Sequence, residues 1–181
     1  MSQIVFNAEG LLEPRDFVMT FDEIRQSILV KGPSNQESWD SEWRLMLTQN
    51  LEILAKQLWK VGIENIFVDG SFVEEKAHPN DIDGYFECDL MHLASGKLEH
   101  DLNALDQFKI WTWSINSRKI DPNSAKSQLP MWHRYRVELY PHYGQPSGIS
   151  DEFGNNLLFP AAFRKSRKEH KEKGIILLKQ N

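Results

Sequence analysis

The sequence predicts an α+β (α/β) chain, a mixed β-sheet with helices packed mainly on one of its faces. Three observations predict this class. A long helical periodicity runs through residues 34–62, short apolar or alternating segments follow it, and helical and extended patterns interleave to the C-terminus. Such interleaving buries an apolar helix stripe against an apolar sheet face.

The 181 residues fit one domain, 1–181, large enough to bury a real core. Residues 1–19, with Gly10 and Pro14, read as an extended N-terminal arm. "TFDEIRQSIL" opens with Thr20 and carries Glu23 three residues on, a capping box that predicts a helix from Thr20 to about Leu29. In "SNQESWDSEWRLMLTQNLEILAKQLWKVG", Trp39, Trp43, Leu47, Leu51, Leu54, Leu58 and Trp59 recur at helical steps. Gly62 stands where a C-cap belongs. An apolar stripe at this spacing is core.

"NIFV" (Asn65 to Val68) predicts a buried strand and "DIDGYFE" a second strand after the Pro79-Asn80 turn. A helix is expected near Leu98 to Gln107, with Leu98, Leu102 and Leu105 inward. "FKIWTWSI" (Phe108 to Ile115) reads as a third strand, and Ser117 to Pro130 as a long polar loop. "MWHRYRVELY" (Met131 to Tyr140) alternates and reads as a fourth strand ended by Pro141. The basic segment 164–181 is expected to hold a helix, then a short apolar strand in "GIILL".

Composition narrows the function classes. Net charge is −5, so the whole surface is not a general polyanion binder. "RKSRKEHKEK", Arg164 to Lys173, is locally basic and suits phosphate contacts; the same run also reads as a solvated helix face. No apolar run approaches the roughly 20 residues of a membrane span, and no basic-then-apolar leader opens the chain. Cys88 is the lone cysteine, which excludes an intramolecular disulfide and suits a reducing cytoplasm. There is no zinc-ligand spacing, no G-x-S-x-G elbow and no P-loop.

The chemistry-bearing stretch is "FVDGSFVEEKAHPNDIDGYFE" (Phe67 to Glu87). Side chains two apart in a strand share a face, so Asp81 and Asp83 project together. Two close carboxylates repel unless a cation, a shared proton or water intervenes. Oxygen-only ligands favour magnesium, which is held by one or two carboxylates plus substrate phosphates. Two such ions can clamp the attacking and leaving oxygens of a phosphoryl displacement. Gly70 lets backbone approach a ligand closely. If "SFVEEK" opens a helix, the N–H groups near Ser71 face an anion. A solvated D-x-D strand on an unrelated α/β protein is the plainer alternative.

The ordered combination resembles the signature of the polymerase-beta-like nucleotidyltransferase superfamily: a hydrophobic-Gly-Ser step, about ten residues, then Asp-x-Asp. "VDGSFVEEKAHPNDID" is closer still to an uncharacterised bacterial and phage nucleotidyltransferase-like family, as are "GLLEPRDFVMTFDEI", "YRVELYPHY" and "FRKSRKEHKEKGIILL". The resemblance implies a nucleotidyltransferase-like fold and a third carboxylate on a neighbouring strand, here Glu138. Glu87 shares the parity of Asp83 but lies roughly 13 Å beyond it at strand rise. Gly84 departs from the family's hydrophobic residue, and Glu138 stands where Asp is commoner.

The expected activity is magnesium-dependent nucleotidyl transfer from an NTP. Asp81, Asp83 and Glu138 would hold two Mg2+ ions, and Gly70, Ser71, Lys165, Lys168 and Lys173 would contact the triphosphate. The acceptor hydroxyl would belong to a protein, an RNA end or a small molecule, and the resemblance suggests a toxin–antitoxin or phage-defence setting. The alternative is a non-catalytic module of the same fold that binds a nucleotide, RNA or a partner.

Overall fold

The computed structural model describes residues 4–34, 36–122, 126–166 and 170–180. Strand β1 (Asp16–Met19) leads into α1 (Phe21–Gln26), α2 (Ile28–Lys31) and the long α3 (Ser41–Lys60). Strand β2 (Ile66–Asp69) runs into a single 3₁₀ turn, Gly70–Val73, and β3 (Ile82–Glu87) follows. Then come α4 (Leu90–Ala94), α5 (Lys97–Leu105), β4 (Lys119–Ile120), β5 (Ser127–Gln128), α6 (Pro130–Tyr135) and β6 (Val137–His142). The chain continues through β7 (Pro146–Ser150), β8 (Asn156–Leu158), α7 (Phe159–Ala162) and β9 (Ile175–Leu178).

Five strands form a mixed sheet in the order β1-β9-β2-β3-β6, parallel at β1-β9 and β3-β6 and antiparallel between. The fold is thus α+β. On one face, Leu47, Leu51, Leu54 and Leu58 of α3 pack on Ile66, Val68, Ile82, Phe86, Val137 and Leu139. The other face carries a smaller cluster, in which Phe67, Tyr85 and Ile175 meet Phe159, Ala162 and Phe163. The β7-β8 hairpin adds Ile149 and Leu157 to that cluster. No helix among the described residues is long and apolar enough to cross a membrane.

The capping box forms as expected: the Glu23 N–H donates to Thr20 Oγ1, and the Thr20 N–H donates to the Glu23 carboxylate at 2.7 Å. The expected single helix is, however, two. Ser27 adopts extended backbone, donates its hydroxyl to Ile24 O and receives the Leu29 N–H, closing α1 and capping α2. Gly62, at φ +87°, follows α3 in the left-handed conformation that glycine adopts freely. Trp39 lies outside α3, because Asp40 is the N-cap, and its indole donates to Val30 O.

Five further expectations fail. Phe108 to Ile115 makes no strand. Asn103 pairs with both the Trp111 N–H and C=O, while the indoles of Trp111 and Trp113 donate to Gln57 and Leu139 O. The backbone polar groups that a ladder would use are therefore partly satisfied by side chains. The expected fourth strand splits: Pro130 opens α6, and Arg136, left-handed at φ +55°, ends it before β6 begins. Pro141 sits within β6, which is an edge strand in the sheet and tolerates the missing donor. Leu105 is exposed, and no helix spans the described part of 164–173.

Candidate functional site

The site grows from strand register. Asp69 on β2 lies opposite Asp83 on β3, and Asp83 lies opposite Glu138 on β6. Residues in register share a face, so three acidic residues form a row on consecutive strands at one end of the sheet. They lie on the face of the smaller cluster, where Phe67 stacks on Tyr85 at 4.6 Å. The sheet therefore brings Asp83 and Glu138 together as the sequence reading expects, and adds Asp69, which that reading missed.

Gly70 is required by this arrangement. Its φ is +76°, and a Cβ there would come within 2.7 Å of Asp83 Oδ2. A side chain at 70 would thus displace the Asp83 carboxylate. Ser71 is half-buried in the 3₁₀ turn Gly70–Val73. "SFVEEK" forms no α-helix, so no helix N-terminus faces an anion here, contrary to expectation. Gly84 has its own reason: a Cβ would lie 2.4 Å from Phe67 O and 2.8 Å from Leu139 Cδ2. The hydrophobic residue of the resembled motif has no room at this position.

The remaining acids are held by donors from distant segments. Asp81 Oδ2 accepts the Trp132 indole N–H at 2.7 Å. Glu138, only 5% exposed, accepts the Leu129 N–H at 2.8 Å and the Tyr140 hydroxyl at 2.5 Å. Arg118 lies 3.9 Å from Glu138 Oε1 and donates to the Tyr140 hydroxyl at 3.1 Å. Burial and the Glu138 charge hold the Tyr140 phenol well above its ordinary pKa. Burial opposes the Arg118 charge, but Tyr140 and Glu138 outweigh it, leaving its pKa raised.

The basic residues divide. Lys173 is 2% exposed, 2.9 Å from Asp69 Oδ1, ion-paired with Glu74 and 3.4 Å from Gly70 O. It therefore ties the C-terminal segment to the Gly-Ser turn; a solvated triphosphate contact would need it exposed. Burial pushes the Asp69 carboxyl up to about 6 against the pull of Lys173. Burial also opposes the Lys173 charge, yet Asp69 and Glu74 keep its pKa raised. Lys165 is half-buried, 3.8 Å from Glu152. Lys168 lies outside the described residues.

Carboxylate oxygens are the donors magnesium takes, and Asp83 and Glu138 stand opposite one another in register. Among the described residues no three His, Cys, Asp or Glu side chains converge on one point. The bonds of Asp81 to Trp132 and of Glu138 to Leu129 and Tyr140 turn those carboxylates toward protein donors.

Sequence reasoning missed Asp69, Trp132, Tyr140 and the role of Arg118. Tyr140 was within reach, since it stands two residues after Glu138 and so shares its face. Asp69 had a signal too, an acid directly before Gly-Ser on an apolar strand. Trp132 and Arg118 had none, because they come from a helix and a loop whose placement depends on the tertiary fold.

Fold and site together define an α+β protein with a mixed five-stranded sheet and a row of acids at one sheet end. Residues 4–179 match the model of a family of unknown function, DUF6932, and the chain belongs to that family. No curated protein and no solved structure matches the chain.

Proposed function

We propose that this protein is a magnesium-dependent nucleotidyltransferase that moves an NMP group from an NTP to an acceptor hydroxyl. The observation that carries the reading is the register of Asp69, Asp83 and Glu138, with Gly70 packed on Asp83. The Gly-Ser turn, Asp83 and Glu138 are separate in sequence and lie at the same end of adjacent strands.

Asp83 and Glu138 would hold the metal, with Asp81 joining when it leaves the Trp132 indole. Bound magnesium would neutralise triphosphate charge. The chain's own work is positioning, which dominates phosphoryl transfer. Gly70 lets the Asp83 carboxylate lie against the backbone of the Gly-Ser turn, and Glu138 would accept the acceptor hydroxyl's proton. The hydroxyl oxygen forms its bond to the α-phosphorus as the bond to the β-phosphate bridge oxygen breaks, and pyrophosphate leaves. The acceptor class is a protein or RNA hydroxyl or a small molecule, and a toxin–antitoxin or phage-defence setting is part of the proposal.

A second reading, a non-catalytic nucleotide-, RNA- or partner-binding module, draws on one observation. Glu138 is already satisfied by Leu129, Tyr140 and Arg118. The deciding experiment incubates the protein with each labelled NTP, magnesium, and protein or RNA acceptors. Wild type is expected to release pyrophosphate and label an acceptor, with Asp83→Asn and Glu138→Gln at least 100-fold slower. Silence with all four NTPs, together with equal NTP binding by wild type and both variants, would overturn the transfer reading.

A further inference from the structure

Next to the acid row lies a cavity of about 260 Å³. At roughly 30 Å³ per water, that is room for about nine waters. Asp69, 7% exposed, forms part of its lining. Ile149 and Leu157 of the β7-β8 hairpin and Phe163 after α7 supply apolar walls, and Lys165 and His170 add polar groups. The cavity joins the smaller apolar cluster to the end of β2, on the same face as Asp83 and Glu138.

The charges here do not suit a bare anion. Lys165 is opposed by Glu152 at 3.8 Å, and Lys173, the nearest buried ammonium, is taken up by Asp69 and Glu74. What the cavity offers is an aromatic and aliphatic wall beside a carboxylate that accepts hydrogen bonds. That combination suits a planar ring bearing an exocyclic amino group, whose two N–H donors a carboxylate acceptor holds and orients better than a lone ring N–H. A pocket with few polar groups on apolar walls is the usual form of a small-molecule site.

We infer that this cavity seats an amino-bearing nucleobase, with its amino group donating to Asp69 and its ring between Phe163, Ile149 and Leu157. The inference rests on the nucleotide reading of the acid row and specifies which part of the substrate lies where. Adjacent strands are about 4.8 Å apart. A base on Asp69 of β2 therefore leaves its 5′ phosphates within reach of Asp83 on β3 and Glu138 on β6. Base discrimination then resides in the β7-β8 and α7 region.

The test uses nucleosides, which need neither metal nor chemistry. Guanosine, adenosine, cytidine and uridine are titrated without magnesium into the full chain carrying labelled methyl groups. Amino-bearing nucleosides are expected to move the Ile149 and Leu157 methyl signals and leave those of Leu47 and Leu54 in place. Uridine should bind at least tenfold more weakly. Asp69→Asn should lose that preference, and Ile149→Trp, which fills the cavity, should abolish binding while the other methyl signals stay folded. Unmoved Ile149 and Leu157 signals, uridine binding as tightly as the rest, or wild-type affinity in folded Ile149→Trp would each overturn the inference. Nucleoside binding without nucleotidyl transfer would support the cavity and overturn the transfer reading. Transfer without nucleoside binding would overturn the cavity alone.

Discussion

Replacing Lys173 with methionine tests whether the basic C-terminal segment is a structural tie. The ammonium is buried against Asp69 and Glu74, and Met keeps most of the stem volume while removing the charge. Breaking a buried pair by deleting one partner costs about 3–5 kcal/mol, because the other charge stays buried and uncompensated. For a chain of this size 1 kcal/mol corresponds to about 2–4 °C in Tm, so the melting point should fall by roughly 6–20 °C.

The loss should also depend on pH. Asp69 titrates near 6 in the folded protein, pushed up by burial, against an unfolded value of about 3.9. The folded state therefore binds the extra proton between those values, and stability falls as pH rises through that window. Lys173 pulls the Asp69 value down, so its removal raises it further and extends the window upward. A tenfold change in proton affinity is ~1.4 kcal/mol. If the whole 3–5 kcal/mol appeared in this equilibrium, it would amount to roughly two to four decades of proton concentration. Urea denaturation followed by tryptophan fluorescence at pH 5 and pH 8 should then show a small deficit at pH 5 and most of it at pH 8. The double variant Asp69→Asn/Lys173→Met should lose less than the two single losses added together. An equal deficit at both pH values, with additive losses, would refute the buried-pair account.

Gly84→Ala should cost about 1–3 kcal/mol, the usual range for overpacking, because its Cβ meets the β2 backbone at Phe67 O as well as Leu139. Thermal unfolding checks it, and a Tm within 1 °C of wild type would show that the strands separate freely. Arg118→Gln removes the cation beside Glu138, so on the metal reading magnesium should bind several-fold tighter by calorimetry. An unchanged magnesium affinity would separate Arg118 from the site.

Much of the fold was legible because its signals are local. The Thr20-Glu23 box, the leucine stripe of α3 and Gly62 each act within a few residues, and they form as read. The facing of Asp83 and Glu138 across β3 and β6 was implied only by the family resemblance, since period-two alternation sets the face within a strand and not which strands pair. The failures fall where a competing partner comes from elsewhere. Phe108 to Ile115 has strand composition, but Asn103 takes the Trp111 N–H and C=O that a ladder partner would use, and Gln57 holds its indole. The alternation is kept from 137 onward, where β6 forms, while Pro130 and the left-handed Arg136 make residues 130–135 a helix. Lys173 reads from the sequence as a triphosphate contact or as part of a solvated charge run, and it is neither. Nothing in "KEKGIILL" announces that Asp69, a hundred residues earlier, will be its partner.

The acid row is a local conflict that the fold itself does not require. Like charges on strands about 4.8 Å apart oppose one another, and buried carboxylates cost several kcal/mol unless compensated. The chain supplies compensation from separate places. Lys173, paired with Asp69, precedes the last strand; Leu129, donating to Glu138, stands just before α6; and Arg118, beside Glu138, comes from the loop ahead of β4. Neutral or apolar residues at 69, 83 and 138 would pair the same strands without any of these partners. Sites where local chemistry works against stability, with compensation gathered from distant segments, are where function is expected. Gly70 belongs to the same arrangement, since a side chain there would displace the Asp83 carboxylate. On the proposed reading, the acids held in register at this end of the sheet would meet a metal-bearing ligand.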